Sequence, residues 1–432
     1  MQTGNIAANG RVDADLSFQL KNLHEFLQVA ANDSIAQASK LLFKAPSAVT
    51  RSIAELEQAL GEKLFERNSR GVLLNGYGQL VLARAVRIEE ELAQAAAELS
   101  RHKGRPARQA GGTLMHLLYN GRKLKLLIHL VDSRKISTAA AHLQITQSGA
   151  SMALARIESV VGETLFHRGV QGMMATDATH KLVVRAKRVF AELRHMASEL
   201  ASASGSLAGS VVVGVLPVGR TYIFPMAVAS VARQFPQIRT TTVDSPFERL
   251  MTDLRSGDVD ALIGVPREGD QNQDLTIEPL FIDRLAVVAR AGHPLAGAPS
   301  LALPDIVGAD WILPWTASPS RALFDRCFAE AGLKPPLPIV ESADLAIVRQ
   351  LLCVSDMIGL VSARQFRLEL RAGTHVELPV SLPGMTRQVS LITRQGVRLP
   401  PAVLAVLDAV RRQAAEDVAD RDSGGVPAAP PA

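Results

Sequence analysis

The sequence predicts a multidomain chain, two helical modules of one design followed by a two-lobed α/β domain, and three observations predict it. First, sliding the 432-residue sequence by 101 positions lays one stretch on another without a gap. Leu60-Gly61-Glu62-Lys63-Leu64-Phe65-Glu66-Arg67 falls on Val161-Gly162-Glu163-Thr164-Leu165-Phe166-His167-Arg168. Second, each copy continues into an apolar seam. Val81, Ala85, Ile88, Leu92, Ala95 and Leu99 are spaced 4, 3, 4, 3 and 4 apart, as are Leu182, Ala186, Val189, Leu193, Met196 and Leu200. Third, after Gly205–Gly209 (GSLAG), which reads as a flexible hinge, the pattern changes to alternating strands and helices. Self-similarity at a fixed period marks a repeated unit. A seam of alternating three- and four-residue steps marks a helix that buries one stripe against another helix.

In the first repeat, Leu23, Phe26, Leu27 and Ala30 make one helical face. Ser34 is placed to cap a second helix that turns Ile35, Ala38 and Leu42 inward. Ala45 to Leu60 forms a third helix with Val49, Ile53 and Leu56 facing the core, and Gly61 stops it. The second repeat puts Ile136, Ala139, Leu143, Ser148, Ala155 and Glu158 where the first has Ile35, Ala38, Leu42, Ser47, Ala54 and Glu57. Its third helix runs from Thr146, a good N-cap, to Val161, with Gly162 as the stop. Helix, helix, tight turn, helix, hairpin, long helix is the order of a winged helix-turn-helix module. The expected boundaries are 17–100 and 113–204.

From Ser210 onward the elements alternate. Ser210–Leu216, Ile238–Val243 and Val259–Val265 read as strands, and Phe224–Gln234 and Phe247–Ser256 as helices. The chain crosses at Leu280–Arg290 into a second set. There Asp310–Leu313 and Ile358–Ser362 read as strands, and Ser320–Ala331 and Ala343–Val354 as helices. Arg387–Thr393 returns as a strand and Pro401–Ala415 closes the domain, whose expected span is 210–412. Two α/β lobes joined by crossover strands leave a cleft, and ligands bind at the carboxyl ends of parallel strands. Residues 421–432 (RDSGGVPAAPPA) read as a disordered tail.

Composition narrows the function classes. The chain is 47% hydrophobic and 21% charged, as expected of a protein with a proper core. Only 4% of residues are aromatic, which argues against nucleic-acid binding by base stacking. The net charge of +5 is modest, so any basic footprint is local. From Ser17 to Ser100 nine Lys/Arg face ten Asp/Glu, and from Thr113 to Ser204 twelve face six. Two cysteines, Cys327 and Cys353, exclude a disulfide scaffold and fit a reducing cytosol; both read as buried structural residues. The first fifteen residues are polar and lack the apolar run of a signal peptide, and no stretch is apolar enough to span a membrane. Six of ten histidines lie in the second repeat without zinc spacing, and no phosphate loop or nucleophile elbow is present. The expectation is no metal, no cofactor, no enzyme activity and a cytoplasmic location.

Two stretches of the first repeat, Ser34-Ile35-Ala36-Gln37-Ala38-Ser39-Lys40-Leu41-Leu42 and Leu64-Phe65-Glu66-Arg67-Asn68-Ser69-Arg70-Gly71, resemble the LysR-type regulators, as does Thr146-Gln147-Ser148-Gly149-Ala150-Ser151 of the second. The later half is similar to the family's co-inducer domain, which has the periplasmic-binding-protein fold. The matching pieces are Ser256-Gly257-Asp258-Val259-Asp260-Ala261-Leu262, Gly292-His293-Pro294-Leu295 and Asp356-Met357-Ile358-Gly359-Leu360. Trp311-Ile312-Leu313-Pro314-Trp315 with Ser318-Pro319-Ser320-Arg321 resembles a branch that senses sugars or aromatic catabolites. The usual member has one winged module, so a second is a departure. The resemblance implies a ligand-responsive regulator that binds double-stranded DNA, self-associates as a dimer or tetramer and has RNA polymerase as a candidate partner.

A recognition helix presents its first turn to base edges in the major groove. In the first copy the positions are Pro46, Ser47, Thr50 and Arg51, and in the second Gln147, Ser148, Ser151 and Met152. The family usually has glutamine early in this helix and a basic residue five positions later; Gln147 keeps the first and Arg51 the second. Arg67 and Arg70 at the first wing, and Arg168 at the second, are expected on the phosphate backbone. The sequence leaves open whether both modules read DNA, and whether the long helices pair within one chain or between two. In the sensing domain, Pro217, Val218, Arg220 and Thr221 follow the first strand, Ser245 and Arg267 the next two, and Ser318, Ser320 and Arg321 open a helix of the second lobe. Arginine binds carboxylates bidentately, so Arg220, Arg267 and Arg321 point to an anionic co-inducer.

Overall fold

A computed structural model describes residues 16–68, 71–102, 111–267 and 272–422. After a 3₁₀ turn at Leu16–Gln19 come α1 (Leu20–Asn32), α2 (Ile35–Leu41), α3 (Pro46–Leu60), the hairpin of β1 (Phe65–Asn68) and β2 (Gly71–Leu74), and the long α4 (Gly76–His102). The order then recurs: α5 (Gly111–Leu118), α6 (Gly121–Ser133), α7 (Ile136–His142), α8 (Gln147–Val161), β3 (Phe166–Gly169), β4 (Gly172–Ala175) and α9 (Asp177–Ala203). Small details recur at the same offset of 101. The side-chain caps are an exception: Ser34 caps α2 by accepting from the Gln37 N–H and Thr146 caps α8 by accepting from the Gly149 N–H, while their counterparts Lys135 and Ala45 make no side-chain cap. Gly61 and Gly162 end α3 and α8 in the left-handed region, at φ 75° and 71°. The Val72 N–H donates to the Asp33 carbonyl and the Met173 N–H to that of Arg134, which ties each wing back to the turn after the first helix.

All twelve seam residues are buried in one core that runs through both helical units. The reason is that α4 and α9 lie antiparallel against each other. Arg84 of α4 is bonded to Glu192 (2.7 Å) and Glu199 (2.7 and 3.0 Å) of α9. Arg185 of α9 is bonded to Glu91 (2.8 Å) and Glu98 (2.8 Å) of α4. Residues 84, 91 and 98 shifted by 101 are 185, 192 and 199, so each triad is the other with the helices exchanged. Such reciprocity is what a twofold axis imposes on an interface. Aromatic contacts at the two ends follow the same exchange. The Tyr119 ring packs tilted against His24, centroids 4.5 Å apart, and Phe18 lies under Lys125 at 5.8 Å.

The α/β half contributes β5 (Gly209–Val215), α10 (Pro217–Arg220), α11 (Ile223–Gln234), β6 (Ile238–Val243), α12 (Phe247–Ser256) and β7 (Ala261–Gly264). Next come β8 (Leu275–Arg290), α13 (Leu303–Ile306), β9 (Trp311–Leu313), α14 (Pro319–Glu330), β10 (Val340–Glu341) and α15 (Leu345–Val354). The chain ends with β11 (Ile358–Ser362), α16 (Arg367–Arg371), β12 (His375–Glu377), β13 (Thr386–Arg394) and α17 (Pro401–Asp422). Strand order is β10-β9-β11-β8-β13-β7-β5-β6, with β12 also on β8. Strand β8 joins the lobes: Leu275–Arg284 pairs with β13, and Leu285–Val288 with β11. The crossover therefore begins five residues earlier than the sequence pattern indicates.

Three further expectations are corrected. The segment 205–209 is a tight connection pinned to α9, not a loose hinge: Ser198 and Ser202 hydroxyls both donate to the Ala208 carbonyl. Residues 421 and 422 close α17 rather than open a tail, while 423–432 lie outside the described residues. Cys327 is buried, which pushes its thiol pKa up, but Cys353 is exposed. The inward face of α15 is carried by Val348 and Leu352, and Cys353 falls one position, about 100°, round from it.

Candidate nucleic-acid interface and ligand cleft

Each third helix is anchored by its buried face and leaves its first turn in solvent. In α3, Val49, Ile53 and Leu56 are buried; in α8, Ala150, Leu154 and Ile157 are. A carboxylate on each helix then sets the wing. Glu57 accepts the Leu64 N–H (2.9 Å), and Glu158 those of Leu165 (2.8 Å) and Phe166 (3.3 Å). This is the physical content of the repeated Gly-Glu-x-Leu-Phe stretch, whose leucine begins the turn into the wing.

The first turns are accessible but unlike. Pro46 and Ser47 are exposed, Thr50 is half-buried and donates to the Pro46 carbonyl (3.0 Å), and Arg51, 82% exposed, pairs with Glu55 (2.9 Å). In α8, Gln147 and Ser148 are exposed and Ser151 is half-buried, and the Ser148 hydroxyl lies 3.1 Å from that of Thr146. Met152, 58% exposed, stands where the first copy has Arg51. Arg156, not anticipated above, stands where the first copy has Glu55; it is exposed and has no hydrogen bond or ion pair among the described residues. Arg168 is exposed on β3. Arg67 belongs to β1, but its side chain, and Arg70 entirely, lie outside the described residues.

In the sensing domain, Pro217, Val218, Arg220 and Thr221 form the short helix and turn after β5, with Val218 buried and the others half-buried. The half-buried Ser245 follows β6. Each of the three arginines expected to hold an anion already has a carboxylate. Arg220 is bonded to Asp244, and to the Val215 carbonyl (2.6 Å). Arg267 pairs with Glu248 and stacks on Phe247. Arg321, nearly buried, holds Asp325 (2.8 Å) and Glu341 (3.3 Å). Ser318 is the N-cap of α14, accepting from the Arg321 N–H. Ser320 accepts from Arg387 (2.6 Å), which also bonds Asp283 (2.9 Å), and Asp283 in turn accepts from Ser362 (2.6 Å). That Ser320–Arg387–Asp283–Ser362 cluster sits where β8, β11 and β13 cross between the lobes, and sequence reasoning missed all of it but Ser320. A cavity of about 570 Å³ lies wholly in the first lobe, between α11 and β6, walled by Phe224, Val228 and Thr242 with Arg220 and Asp244 among its lining. Of the expected ligand residues it includes Arg220 alone.

The sensing domain is docked on α9. Lys187 pairs with Asp258 (2.7 Å), Arg188 donates to the Arg255 carbonyl (2.8 Å), and Arg194 and His195 both hold Asp260 (2.7 and 2.8 Å). Asp260 also accepts the Val212 N–H (2.9 Å). Burial works against its charge, but Arg194, His195 and the Val212 amide together outweigh it and bring its pKa down to about 2. From α4, Arg87 reaches the Gly396 carbonyl (3.2 Å). Gly257 makes the close approach possible. It adopts φ +83°, and a Cβ there would meet Ala191 of α9 at 2.9 Å.

Comparison with known proteins places this arrangement. A family model described as the LysR substrate binding domain matches residues 204–415, and one described as the bacterial regulatory helix-turn-helix protein of the lysR family matches twice, at 20–79 and 122–180. The HTH-type transcriptional regulator GalR of Pseudomonas putida is 39% identical over 401 residues, 93% of this chain and 98% of that protein. Among solved structures, a full-length OxyR variant from Pseudomonas aeruginosa superposes with TM-score 0.51 at 20% identity, covering 67% of this chain and 97% of its own. CbnR, a LysR family transcriptional regulator, does so with TM-score 0.50 at 17% identity, covering 68% and 98%. No helix among the described residues is long and apolar enough to cross a membrane.

Proposed function

Since the chain belongs to the LysR family of bacterial transcriptional regulators, a DNA-binding protein with a small-molecule-binding domain and not an enzyme, we propose that both of its winged modules, 17–100 and 113–204, contact duplex DNA and that the domain 210–412 tunes them. The observation that carries this reading is the exposure of the first turns of α3 and α8 on helices whose other faces are buried. Ser47, Thr50 and Arg51, with Gln147, Ser148 and Ser151, face base edges; Arg67, Arg70 and Arg168 hold the phosphate backbone. Arg51 gives up little in leaving Glu55, because an exposed pair one turn apart contributes only about 0.3–0.5 kcal/mol. A bacterial DNA-binding regulator works where the chromosome lies, in the cytoplasm.

Two kinds of substitution separate the roles. Arg51→Ala or Gln147→Ala lowers discrimination between cognate and altered base pairs by about 1–3 kcal/mol. Arg168→Ala weakens binding to every duplex alike and makes the slope of log affinity against log salt shallower by about 0.9. Electrophoretic retardation across a salt series checks both. Equal loss on all sequences for Gln147→Ala would place that residue on the backbone instead.

The co-inducer is a small anion in this reading, held by Arg220 and Arg267 with Pro217, Val218, Thr221, Ser245, Ser318 and Ser320 around it. Asp244 and Glu248 are largely exposed, so a ligand carboxylate displaces them at small cost. Arg321, itself buried, stays with Asp325 and Glu341 and orients the start of α14. A panel of small carboxylates is then expected to include one that raises the unfolding temperature of the parent, by about 2.7 kcal/mol of stabilisation at a hundred times its dissociation constant. Arg220→Gln removes the effect. A panel effect untouched by Arg220→Gln and Arg267→Gln would remove both residues from the site. Because lobe one is fixed to α9, closure of lobe two on the ligand shifts an existing equilibrium of DNA-binding arrangements.

A further inference from the structure

We infer that one chain alone grips a DNA site made of two unlike half-sites, and grips it in one polarity, so that its single sensing domain always lies toward the same half. This rests on the DNA-binding reading above and adds the form of the partner.

Three observations converge. The heads are paired inside the chain by an interface of its own symmetry: the Arg84–Glu192–Glu199 and Arg185–Glu91–Glu98 triads exchange under a local twofold. A twofold carries α3 onto α8, so both recognition helices meet a duplex from the same side, and two half-sites one helical turn apart are related by a local dyad of the same kind. Tethering on one chain makes the pairing independent of protein concentration.

The symmetry stops at the reading surface. Pro46, Arg51 and Glu55 of α3 correspond to Gln147, Met152 and Arg156 of α8. The first head offers a cation held by a carboxylate one turn on, whereas the second offers an amide, a thioether and, one turn later, a cation with no partner among the described residues. Side chains this different do not select the same bases. The symmetry stops again at the sensing domain, which is held by Lys187, Arg188, Arg194 and His195 of α9 and, from α4, by the Arg87 bond to Gly396. It covers the triad of Arg84, where Arg398 reaches Glu199 at 3.4 Å, and leaves that of Arg185 more open. A head pair with a directional cargo on a directional site fixes where the sensor sits along the duplex.

The test selects sites from a random duplex pool with the full chain. It then compares the enriched site, half A beside half B, with its A–A and B–B versions, and counts chains per duplex by native mass spectrometry. The expected motif is non-palindromic, with half-sites about 10 base pairs apart, one chain bound per site, and at least tenfold weaker binding to A–A and B–B. The double substitution Arg51→Met with Glu55→Arg, which gives α3 the side chains of α8 at those positions, shifts preference toward the duplex carrying two halves of the α8 type. A palindromic motif, or two chains on one A–B site, overturns the inference while leaving DNA binding intact. No enrichment and no salt-dependent complex removes the reading beneath it as well. An unchanged urea midpoint for the double variant shows that a lost preference is not lost folding.

Discussion

Arg84→Ala is expected to lower the stability of the helical half by about 3–5 kcal/mol, with the parallel change Arg185→Ala costing clearly less. Arg84 is 0% exposed and lies between two carboxylates, Glu192 and Glu199, that are themselves buried. Burial alone would pull its pKa down, yet its bonds to Glu199 and Glu192 reverse that and raise it. Without the guanidinium, two like charges face each other in the core, with Arg398 near Glu199 at the rim and Arg394 as the other nearby cation toward Glu192. The arrangement at Arg185 is chemically the same but 19% exposed, and Arg188 stands within 3.6 Å of Glu91 as a substitute cation. Water and the second cation both soften the loss there. Urea unfolding followed by helix signal measures the two midpoints, and the triple change Arg84→Met, Glu192→Leu, Glu199→Leu recovers most of the loss because it removes the buried charges together. Equal costs at Arg84 and Arg185 would show that burial does not set the difference. Since the triads hold α4 on α9, Arg84→Ala also loosens the registry of the two heads and reduces binding to a two-half site more than binding to one half.

Much of this was readable from local rules. Ser34, Thr146, Gly61 and Gly162 stand where caps and stops are required, and the seam residues carry their own burial in their spacing. What was not readable depends on partners distant in sequence. Arg220 is visible as a cation, but the Asp244 that occupies it lies 24 residues on. The apolar pattern of α17 ends at Ala415 because Asp417 reads as a surface residue, whereas Asp417 is buried against Arg364 and Arg367 and the helix continues. The triads were hidden for another reason. Arg84, Glu91 and Glu98 read as the solvated flank of a coiled seam until the repeat offset is applied to the charges as well as to the apolar residues, and then the exchange with Arg185, Glu192 and Glu199 is visible in the sequence alone.

The docking of the sensing domain gives the second large effect. The stretch Ser256–Leu262 resembled the family's co-inducer domain, and its structural use is to seat that domain on α9: Gly257 allows contact with Ala191, Asp258 meets Lys187, and Asp260 meets Arg194 and His195. Asp260→Asn is expected to cost about 3–5 kcal/mol, since it leaves Arg194 and His195 facing a neutral group in a buried site. The sign of its pH dependence follows from the lowered pKa. A carboxyl near 2 in the folded chain and 3.8 when free stabilises the fold fully above pH 4, and the contribution is lost as pH falls from about 4 to 2. At 1.36 kcal/mol per unit this is about 2 kcal/mol. In the parent, exchange protection of the Val212 amide, which donates to Asp260, therefore falls across that window; in Asp260→Asn it is low throughout and flat with pH. The heads keep their own interface, so DNA affinity without ligand changes little while the response to ligand disappears. Retained ligand response in a variant that has lost Val212 protection would mean that the signal travels by another route, with the Arg87–Gly396 contact from α4 the next to break.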